Sequence, residues 1–209
     1  DDTGDTAPNT GRLTSTTITG LGMQDGIVYG TLELLNIGLG SGGDTFTIAG
    51  THAGTTNLTT DGDDDTVNVQ ATSGPTTVDT GAGDDTVNVS SDAPVNNGTA
   101  QNLLGLLTIE TGADVNTLNV SDEANGGPRT VVITSTAIIG LAPAEIRYAA
   151  TGGTLGGGVN IEGGFGGNTI EVRSTHRSAG TTTTLWSGEG DDHVTVTEVD
   201  PPSLVIHGE

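Results

Sequence analysis

The chain contains no cysteine and no lysine. The absence of cysteine excludes disulfides and cysteine nucleophiles. The five basic residues, all Arg, stand against 27 acidic ones, so the formal net charge at pH 7 is −22. No basic patch is possible on such a chain, which excludes nucleic-acid binding, and an anionic membrane would repel it.

Aromatic residues make up only 2% of the chain and hydrophobic residues 32%, and no apolar run reaches membrane-spanning length. A thick hydrophobic core is therefore excluded. Gly contributes 35 of the 209 residues. Acidic, Gly-rich chains are often disordered, but here Val, Ile and Leu recur at period-2 positions, which favours thin stacked strands.

A short phrase, Gly-x-Gly-x-Asp-x-apolar, recurs six times with its Asp or Asn at positions 44, 65, 85, 116, 168 and 192. A repeated turn, acid and strand predicts a solenoid in which the acids form a row along the stack. The candidate metal ligands are Gly40, Gly42, Asp44, Asp61, Asp63, Asp65, Gly81, Gly83, Asp85, Asp114, Asn116, Asn168, Gly188, Gly190 and Asp192.

The motif spacings are 21, 20, 31, 52 and 24 residues, so one coil has about 20 residues. The 31-residue step carries the loop 91–105, and the 52-residue step must hold at least one coil without a motif. A longer repeat explains that step, because the segment 14–21 returns at 134–141 and the segment 25–29 returns at 145–148. We expect a flexible segment 1–12 and a single solenoid 13–209, made of super-repeats 13–90 and 129–209 joined by coils 91–128.

Each coil reads as strand, turn, strand and loop. In one coil the strand 76–80 precedes the turn 81–84, and the strand 85–89 follows with Val87 and Val89 on one face. No segment has a helical period. The predicted fold is all-β, a right-handed parallel β-solenoid of about eight to ten coils.

Calcium is the expected cofactor of the motif row. It takes six to eight hard oxygens, which Gly-turn carbonyls and carboxylates from two stacked coils can supply together. Two bare carboxylates about 4.8 Å apart would repel by about 3.5 kcal/mol at an effective dielectric near 20, and a bridging divalent ion reverses that sign. We expect weaker sites at Asn116 and Asn168, which lack the charge.

The phrases resemble the calcium-binding nonapeptide of RTX (haemolysin-type) repeat proteins, Gly-Gly-x-Gly-x-Asp-x-apolar-x. The segment 163–170 fits it except for Asn168, and the segments 81–87 and 188–194 fit with the first Gly lost. The resemblance implies secretion, calcium-dependent folding and a parallel β-roll. RTX motifs run two per turn with two ion rows, whereas one motif per coil here implies at most one row.

Other patterns leave alternatives open. The Gly-Asp turns could be plain corners in which Asp caps its own backbone. His52 and His176 recur at matching places, which fits packing or a two-histidine metal site. Trp186 and the pair Tyr29 and Tyr148 fit a sugar-binding patch or packing. The Thr-rich segments 55–56 and 181–184 fit strands or an ice-binding ladder.

No enzyme is expected, because the sequence has no nucleophile elbow, zinc-protease motif or phosphate loop. Polysaccharide cleavage would need a base such as Arg147, Arg173 or Arg177, but the chain charge would repel an acidic substrate. Acid pairs that recur in every turn fit an ion ladder better than a glycosidase.

The expected function is structural: a calcium-stabilised segment of a bacterial extracellular filament, adhesin stalk or surface-layer matrix protein, secreted or on the cell surface. Its expected partners are calcium and further copies of itself or of its repeats, joined end to end, because the segment 203–209 reads as an open apolar strand. The alternative is a glycan- or cell-surface-binding module that uses the loop 91–105 and the Trp186 region.

Overall fold

A computed structural model describes residues 3–200 and 203–208, and this part of the chain is all-β. No helix in these residues is long and apolar enough to cross a membrane. The strands are β1 (Thr10–Leu13), β2 (Thr17–Gly20), β3 (Ile27–Val28), β4 (Leu34–Gly38), β5 (Thr45–Ile48), β6 (Thr55–Thr59), β7 (Thr66–Val69), β8 (Thr76–Asp79), β9 (Thr86–Val89), β10 (Leu107–Glu110), β11 (Val115–Ser121), β12 (Thr130–Ile133), β13 (Ala137–Ile139), β14 (Ile146–Ala149), β15 (Thr154–Glu162), β16 (Thr169–Val172), β17 (Thr182–Trp186), β18 (His193–Val196) and β19 (Ser203–His207).

The strands form two sheets in which most neighbours are parallel. The first sheet has the order β19-β17-β15-β11-β9-β7-β5-β1-β2-β3, and the second has the order β18-β16-β12-β13-β14-β10-β8-β6-β4. Outside the groups β1 to β3 and β12 to β14, successive strands of the chain alternate between the sheets, so each coil adds one parallel strand to each. The β-solenoid predicted from the repeats is confirmed.

The core is thin and built mainly from β-branched and Leu side chains. In β7 and β9 the Val pairs of the Thr-Val-Asn-Val segments are fully buried. Their Asn side chains point the other way and stack along the first sheet. Asn88 Nδ2 donates to Asn68 Oδ1 at 3.0 Å, and Asn119 and Asn160 extend the same ladder. Period-2 alternation therefore serves the core on one face and an amide ladder on the other.

Both super-repeats begin with the same antiparallel hairpin unit. β1, β2 and β3 pair successively in the first copy, as β12, β13 and β14 do in the second. The 52-residue step therefore holds more than a plain coil, because β15 follows this three-stranded unit before the next motif. The three strands β12 to β14 together take one place in the alternation between sheets, so after them the strands without a motif fall in the first sheet and the motif strands in the second.

This change places the later motifs on the other sheet. The motif strands β5, β7, β9 and β11 belong to the first sheet, whereas β16 and β18 belong to the second. At the start of the chain, β1 begins at Thr10, inside the segment 1–12 predicted to be flexible. Residues 1–2 of that segment, and residues 201, 202 and 209 of the predicted solenoid, lie outside the described part.

Candidate functional site: the motif ladders and a surface groove

The first motif row is a ladder of buried side chains that joins successive coils. Each Oδ1 accepts the backbone N–H of the equivalent residue one coil earlier. The distances are 2.6 Å from Asp44 N to Asp65, 2.9 Å from Asp65 N to Asp85 and 2.9 Å from Asp85 N to Asn116. Asp44 in turn accepts the N–H of Asn9 at 2.7 Å. The motif acid therefore caps the backbone of a neighbouring coil rather than its own.

The last two motifs form a separate row. Asn168 Oδ1 accepts the N–H of Arg129 at 3.0 Å, and Asp192 Oδ1 accepts the N–H of Asn168 at 2.7 Å. The turns of this row lead into the second sheet, whereas those of the first row lead into the first sheet. The expectation of a single row is therefore wrong: the six motif positions form two ladders, at opposite edges of the stack.

The motif glycines are required by coil stacking. Asp61, Gly81 and Gly112 occupy equivalent turn positions with φ of 79°, 79° and 61°. A Cβ on Gly81 would lie 1.9 Å from the Asp61 carbonyl oxygen, and one on Gly112 would lie 1.9 Å from that of Gly81. Those carbonyls accept the N–H groups of Ala82 and Ala113. Glycine is thus needed where one turn lies directly on another.

The other motif glycines show the same crowding. Gly83 and Gly190 have φ of 140° and 106°, and a Cβ on Gly188 would lie 2.1 Å from the Gly164 carbonyl oxygen. In the turn that includes Gly40, the neighbour is not a motif turn, because a Cβ on Gly42 would meet the Ala7 backbone at 2.5 Å.

The predicted acidic ligands fall into three classes of burial, and Asp192 alone is half-buried. Asp44, Asp65 and Asp85 are buried, whereas Asp61, Asp63 and Asp114 are exposed on the outer turn. Asp63 and Asp114 adopt positive φ, with values of 71° and 60°. Within residues 3–200 and 203–208, no three His, Asp or Glu side chains lie together as a metal site would require. The Oδ1 atoms of the ladder already accept backbone hydrogen bonds.

A second, exposed acceptor row was not singled out from the sequence. Asp64 Oδ1 accepts the N–H of Asp84 at 2.8 Å, and Asp84 Oδ1 accepts the N–H of Val115 at 2.9 Å. The signal for it was present, since acids at 64 and 84 precede the buried acids at the same 20-residue spacing.

Burial makes the ladder carboxyls easy to protonate. Desolvation is the main cause that raises the pKa of Asp65 to about 7, and repulsion from the charges of Asp85 and Asp44 raises it further. The Thr60 hydroxyl and the Asp44 N–H act in the opposite direction and lower this pKa. The Thr60 hydroxyl lies beside this carboxyl, but its proton is directed at the Thr80 carbonyl oxygen, 2.9 Å away. Asp65 Oδ2 is therefore buried without a full hydrogen bond.

Asp85 behaves in the same way. Desolvation raises its pKa to about 6; the Thr80 hydroxyl and the Asp65 N–H lower it, and the charges of Asp64 and Asp84 raise it. Its Oδ2 is likewise buried without a full hydrogen bond, because the proton of the Thr80 hydroxyl beside it is directed at the Thr111 carbonyl oxygen, 3.3 Å away. A charged carboxylate in this position loses its hydration without gaining full hydrogen bonds in return, and protonation removes that cost by neutralising the charge.

The Asn members of the ladders show how a neutral side chain fits. Asn116 Nδ2 donates to the Ala113 carbonyl at 2.7 Å, and Asn168 Nδ2 donates to Gly164 at 2.9 Å and to Ser187 at 3.0 Å. In both residues Oδ1 is the acceptor of the ladder, and Nδ2 is a donor that faces carbonyl oxygens. A protonated Asp offers the same combination of acceptor and donor.

The structure also brings together the two regions predicted to bind glycans. A surface groove with a cavity of about 410 Å³ is lined by Asn97 from the loop 91–105, by Trp186 and by Phe165. Trp186 is 36% exposed and stacks on His207 with ring centroids 5.3 Å apart. Phe165, which is 53% exposed, was missed, although a large apolar residue between glycines in a surface turn could have indicated it.

Two glutamates, Glu123 and Glu162, also line this groove. Burial raises the pKa of Glu162, an effect that the Ser121 hydroxyl opposes and the charge of Glu123 reinforces. The groove therefore combines aromatic faces with carboxylate acceptors, the two kinds of group that contact sugar rings and hydroxyls.

The remaining sequence candidates form local pairs. His52 contacts Tyr29 and His176 contacts Tyr148, with ring centroids 6.0 Å and 5.7 Å apart. Both Tyr hydroxyls donate to backbone carbonyls, those of Thr14 and Thr134, so these residues pack as two equivalent pairs. The three Arg candidates form separate ion pairs: Arg147 with Glu145, Arg173 with Glu171 and Arg177 with Asp200.

Comparisons with models of protein families, with curated proteins and with solved structures give no match to this chain.

Proposed function

We propose that this chain is a structural segment of an extended β-solenoid scaffold that continues end to end through further copies of its super-repeat. The observation that carries the proposal is the junction between its own two copies. Across it β10 pairs with β14 and β11 pairs with β15, both in parallel, and the buried cluster continues from one copy into the next. A fold that adds copies without interrupting its sheets or core can form a long rod, which suits a protein that holds other parts of a structure at a distance.

The motif ladders support the same role. In each ladder the motif side chain of one coil accepts a backbone N–H of the preceding coil, which stabilises stacking. A bacterial filament, adhesin stalk or surface-layer matrix outside the cell is the setting we propose, and for this the resemblance to RTX repeats is the support. In this proposal calcium acts as a counter-ion to the −22 charge and the exposed turn acids, not as a core ligand.

Self-association is the test of this function. We expect rods of constant width that lengthen as protein concentration and calcium increase, observed by electron microscopy and sedimentation. The control is Ile206→Asp, which places a charge on the 41% exposed Ile206 of the edge strand β19 and should shorten the rods. Discrete single particles at every concentration, or rods unaffected by Ile206→Asp, would contradict end-to-end assembly.

A second candidate function, glycan binding, is favoured by the groove at Trp186 and Phe165. Trp186→Ala and Phe165→Ala should each abolish saturable binding on a glycan array. Leu104→Ala is a matched control, because Leu104 is 65% exposed on the same loop as Asn97 but does not line the groove. If the wild-type protein binds no glycan on the array, or if Leu104→Ala reduces binding as much, this candidate fails.

A further inference from the structure

The N-terminal end of the solenoid exposes an apolar face. It consists of the edge strand β3 of the first sheet and the edge strand β4 of the second. Ile27, Val28 and Leu34 are 49%, 81% and 52% exposed. Beside them lies an open cavity of about 380 Å³, whose lining includes Tyr29 and Leu35. This is an unusually apolar surface for so acidic a chain.

The second super-repeat contains the same face, covered. Its counterparts of Ile27, Tyr29 and Leu35 are Ile146, Tyr148 and Val159, which are 0%, 2% and 0% exposed. They are covered by the preceding coil, in the register Leu107 opposite Ile146, Ile109 opposite Tyr148 and Leu118 opposite Val159.

The two faces correspond in contacts as well as in sequence. The Tyr29 hydroxyl donates to the Thr14 carbonyl as the Tyr148 hydroxyl does to that of Thr134. The backbone N–H of Tyr29 donates to Thr16 O, and that of Tyr148 donates to Thr136 O at the same distances within 0.1 Å. Before each hairpin unit, one backbone N–H donates to a motif side chain, Asn9 to Asp44 and Arg129 to Asn168.

We propose that the β3 and β4 face is a docking surface for a coil like the one that precedes the second super-repeat, supplied by a further stretch of the same repeat array. This rests on the proposed function and names its partner. The coil has the form of residues 107–121: an apolar strand without the motif, a Gly-Asp turn and a motif strand. The first strand pairs with β3 and covers Ile27 and Tyr29, as β10 covers Ile146 and Tyr148. The motif strand pairs with β4, as β11 pairs with β15.

One polar contact specifies the register. Asn160 Nδ2 donates to Asn119 Oδ1 of the covering coil at 2.8 Å. Asn36 occupies the corresponding place on β4 and is exposed, and its Oδ1 accepts Asn57 Nδ2 at 2.9 Å. The docked coil therefore presents an Asn to Asn36, which adds one hydrogen bond to the separate amide pair that Asn36 and Asn57 form on the second sheet. A shift by one residue would place apolar side chains on the wrong face and lose this contact.

The described C-terminal end fits this surface less well. β19 is a motif-free edge strand and can take the place of β10 against β3. Within the described residues, no motif strand follows β19 to take the place of β11 against β4. A coil that contains both strands is the better partner, and 107–121 is the segment with that form.

The test supplies this coil in its natural spacing. Residues 3–9 correspond to 123–129, so a copy of residues 86–122 is fused directly ahead of residue 3 of the chain. Amide hydrogen exchange is then measured at Ile27, Val28 and residues 34–38. We expect exchange there to slow by roughly tenfold or more, toward the rates of β14 and β15. The control fusion carries Leu107→Asp and Leu118→Asp in the added copy only and should leave these amides fast.

The outcomes separate this inference from the proposed function. If neither fusion slows exchange while β7 and β9 stay protected, the docking surface is refuted, and rods could still form by another contact. A different result is that exchange at β3 and β4 of the unfused protein slows as its concentration rises, and that Ile206→Asp removes this protection. The C-terminal end of a second chain would then cover the face. That result overturns the coil proposal but supports end-to-end assembly. Slowing by the intact fusion alone supports the inference, whether or not the unfused chain forms rods.

Discussion

At the scale of single residues, Asp65 and Asp85 occupy positions that favour a neutral side chain. Both are buried with one oxygen left without a partner, whereas Asn116 uses the equivalent atom to donate to a carbonyl. Asp65→Asn should therefore raise the free energy of unfolding at pH 7 by about 1 kcal/mol, the usual size of one net hydrogen bond.

The control for this first prediction is Asp84→Asn, which removes the same charge from an exposed position and keeps the acceptor for Val115 N. It should change stability by less than half as much. Urea unfolding of the two variants decides, and a loss of stability in Asp65→Asn would mean that the carboxylate is needed there, as a bound cation would require.

The second prediction concerns pH. The pKa values of Asp65 and Asp85 in the folded chain, about 7 and about 6, lie above their ordinary value of 3.8. The folded state then holds more protons than the unfolded state across that interval. The stability contributed by these groups is complete below pH 3.8 and is lost as pH rises through the folded pKa values.

The unfolding free energy of the wild-type protein should therefore fall between about pH 4 and pH 7. The double variant Asp65→Asn with Asp85→Asn should fall less over this window, because the general repulsion among acids remains but these two titrations are gone. Denaturant titrations across the window provide the measurement, and parallel curves for the two proteins would show that the ladder does not titrate.

At the scale of the turn, the close stacking of coils requires glycine at several motif positions. The third prediction is that Gly81→Ala destabilises by at least about 2 kcal/mol more than Gly152→Ala. Both residues have positive φ, 79° and 93°, but a Cβ on Gly81 meets the Asp61 carbonyl whereas one on Gly152 meets nothing within 4 Å. Thermal melts of the pair isolate the clash from the backbone strain, and equal losses would leave strain as the only cause.

At the same scale, some features could be predicted from the sequence and others could not. The strands 76–80 and 85–89 were predictable because Thr-Val alternation and a Gly-Asp turn are local signals, and the structure has β8 and β9 there. The division of the motifs between two edges was not, because it follows from the hairpin unit β12 to β14. That unit contains no motif, and its effect on the alternation of sheets appears only when all strands are placed.

The role of the motif acid was hidden for a different reason. A Gly-x-Gly-x-Asp turn supplies oxygens, so its composition alone suggests a cation. Only the stacking places Asp65 Oδ1 2.6 Å from the Asp44 N–H and assigns it to the backbone. The sequence did carry one signal of this backbone-capping role, namely Asn at positions 116 and 168. Asn keeps the side-chain acceptor of Asp but has no charge.

At the scale of the whole molecule, charge opposes assembly. A net charge of −22 on 209 residues produces repulsion between chains that meet end to end, and the exposed turn acids Asp61, Asp63 and Asp64 lie along the edge of the stack. Ionic strength reduces such repulsion, and divalent ions reduce it more strongly at equal concentration.

The fourth prediction is that calcium stabilises the chain and promotes end-to-end growth mainly as a divalent counter-ion. Calcium and magnesium at equal concentration should then raise the melting temperature by similar amounts, and sodium at matched ionic strength should give most of the effect. The reason is that the Oδ1 atoms of the buried ladder acids already accept backbone hydrogen bonds, whereas the exposed turn acids are open to either divalent ion. A saturable rise in melting temperature with calcium alone, lost in Asp85→Ala and kept in Asn116→Ala, would instead mean that the ladder rearranges to hold the ion. Melting curves in the three salts, with both variants, separate screening from a specific site.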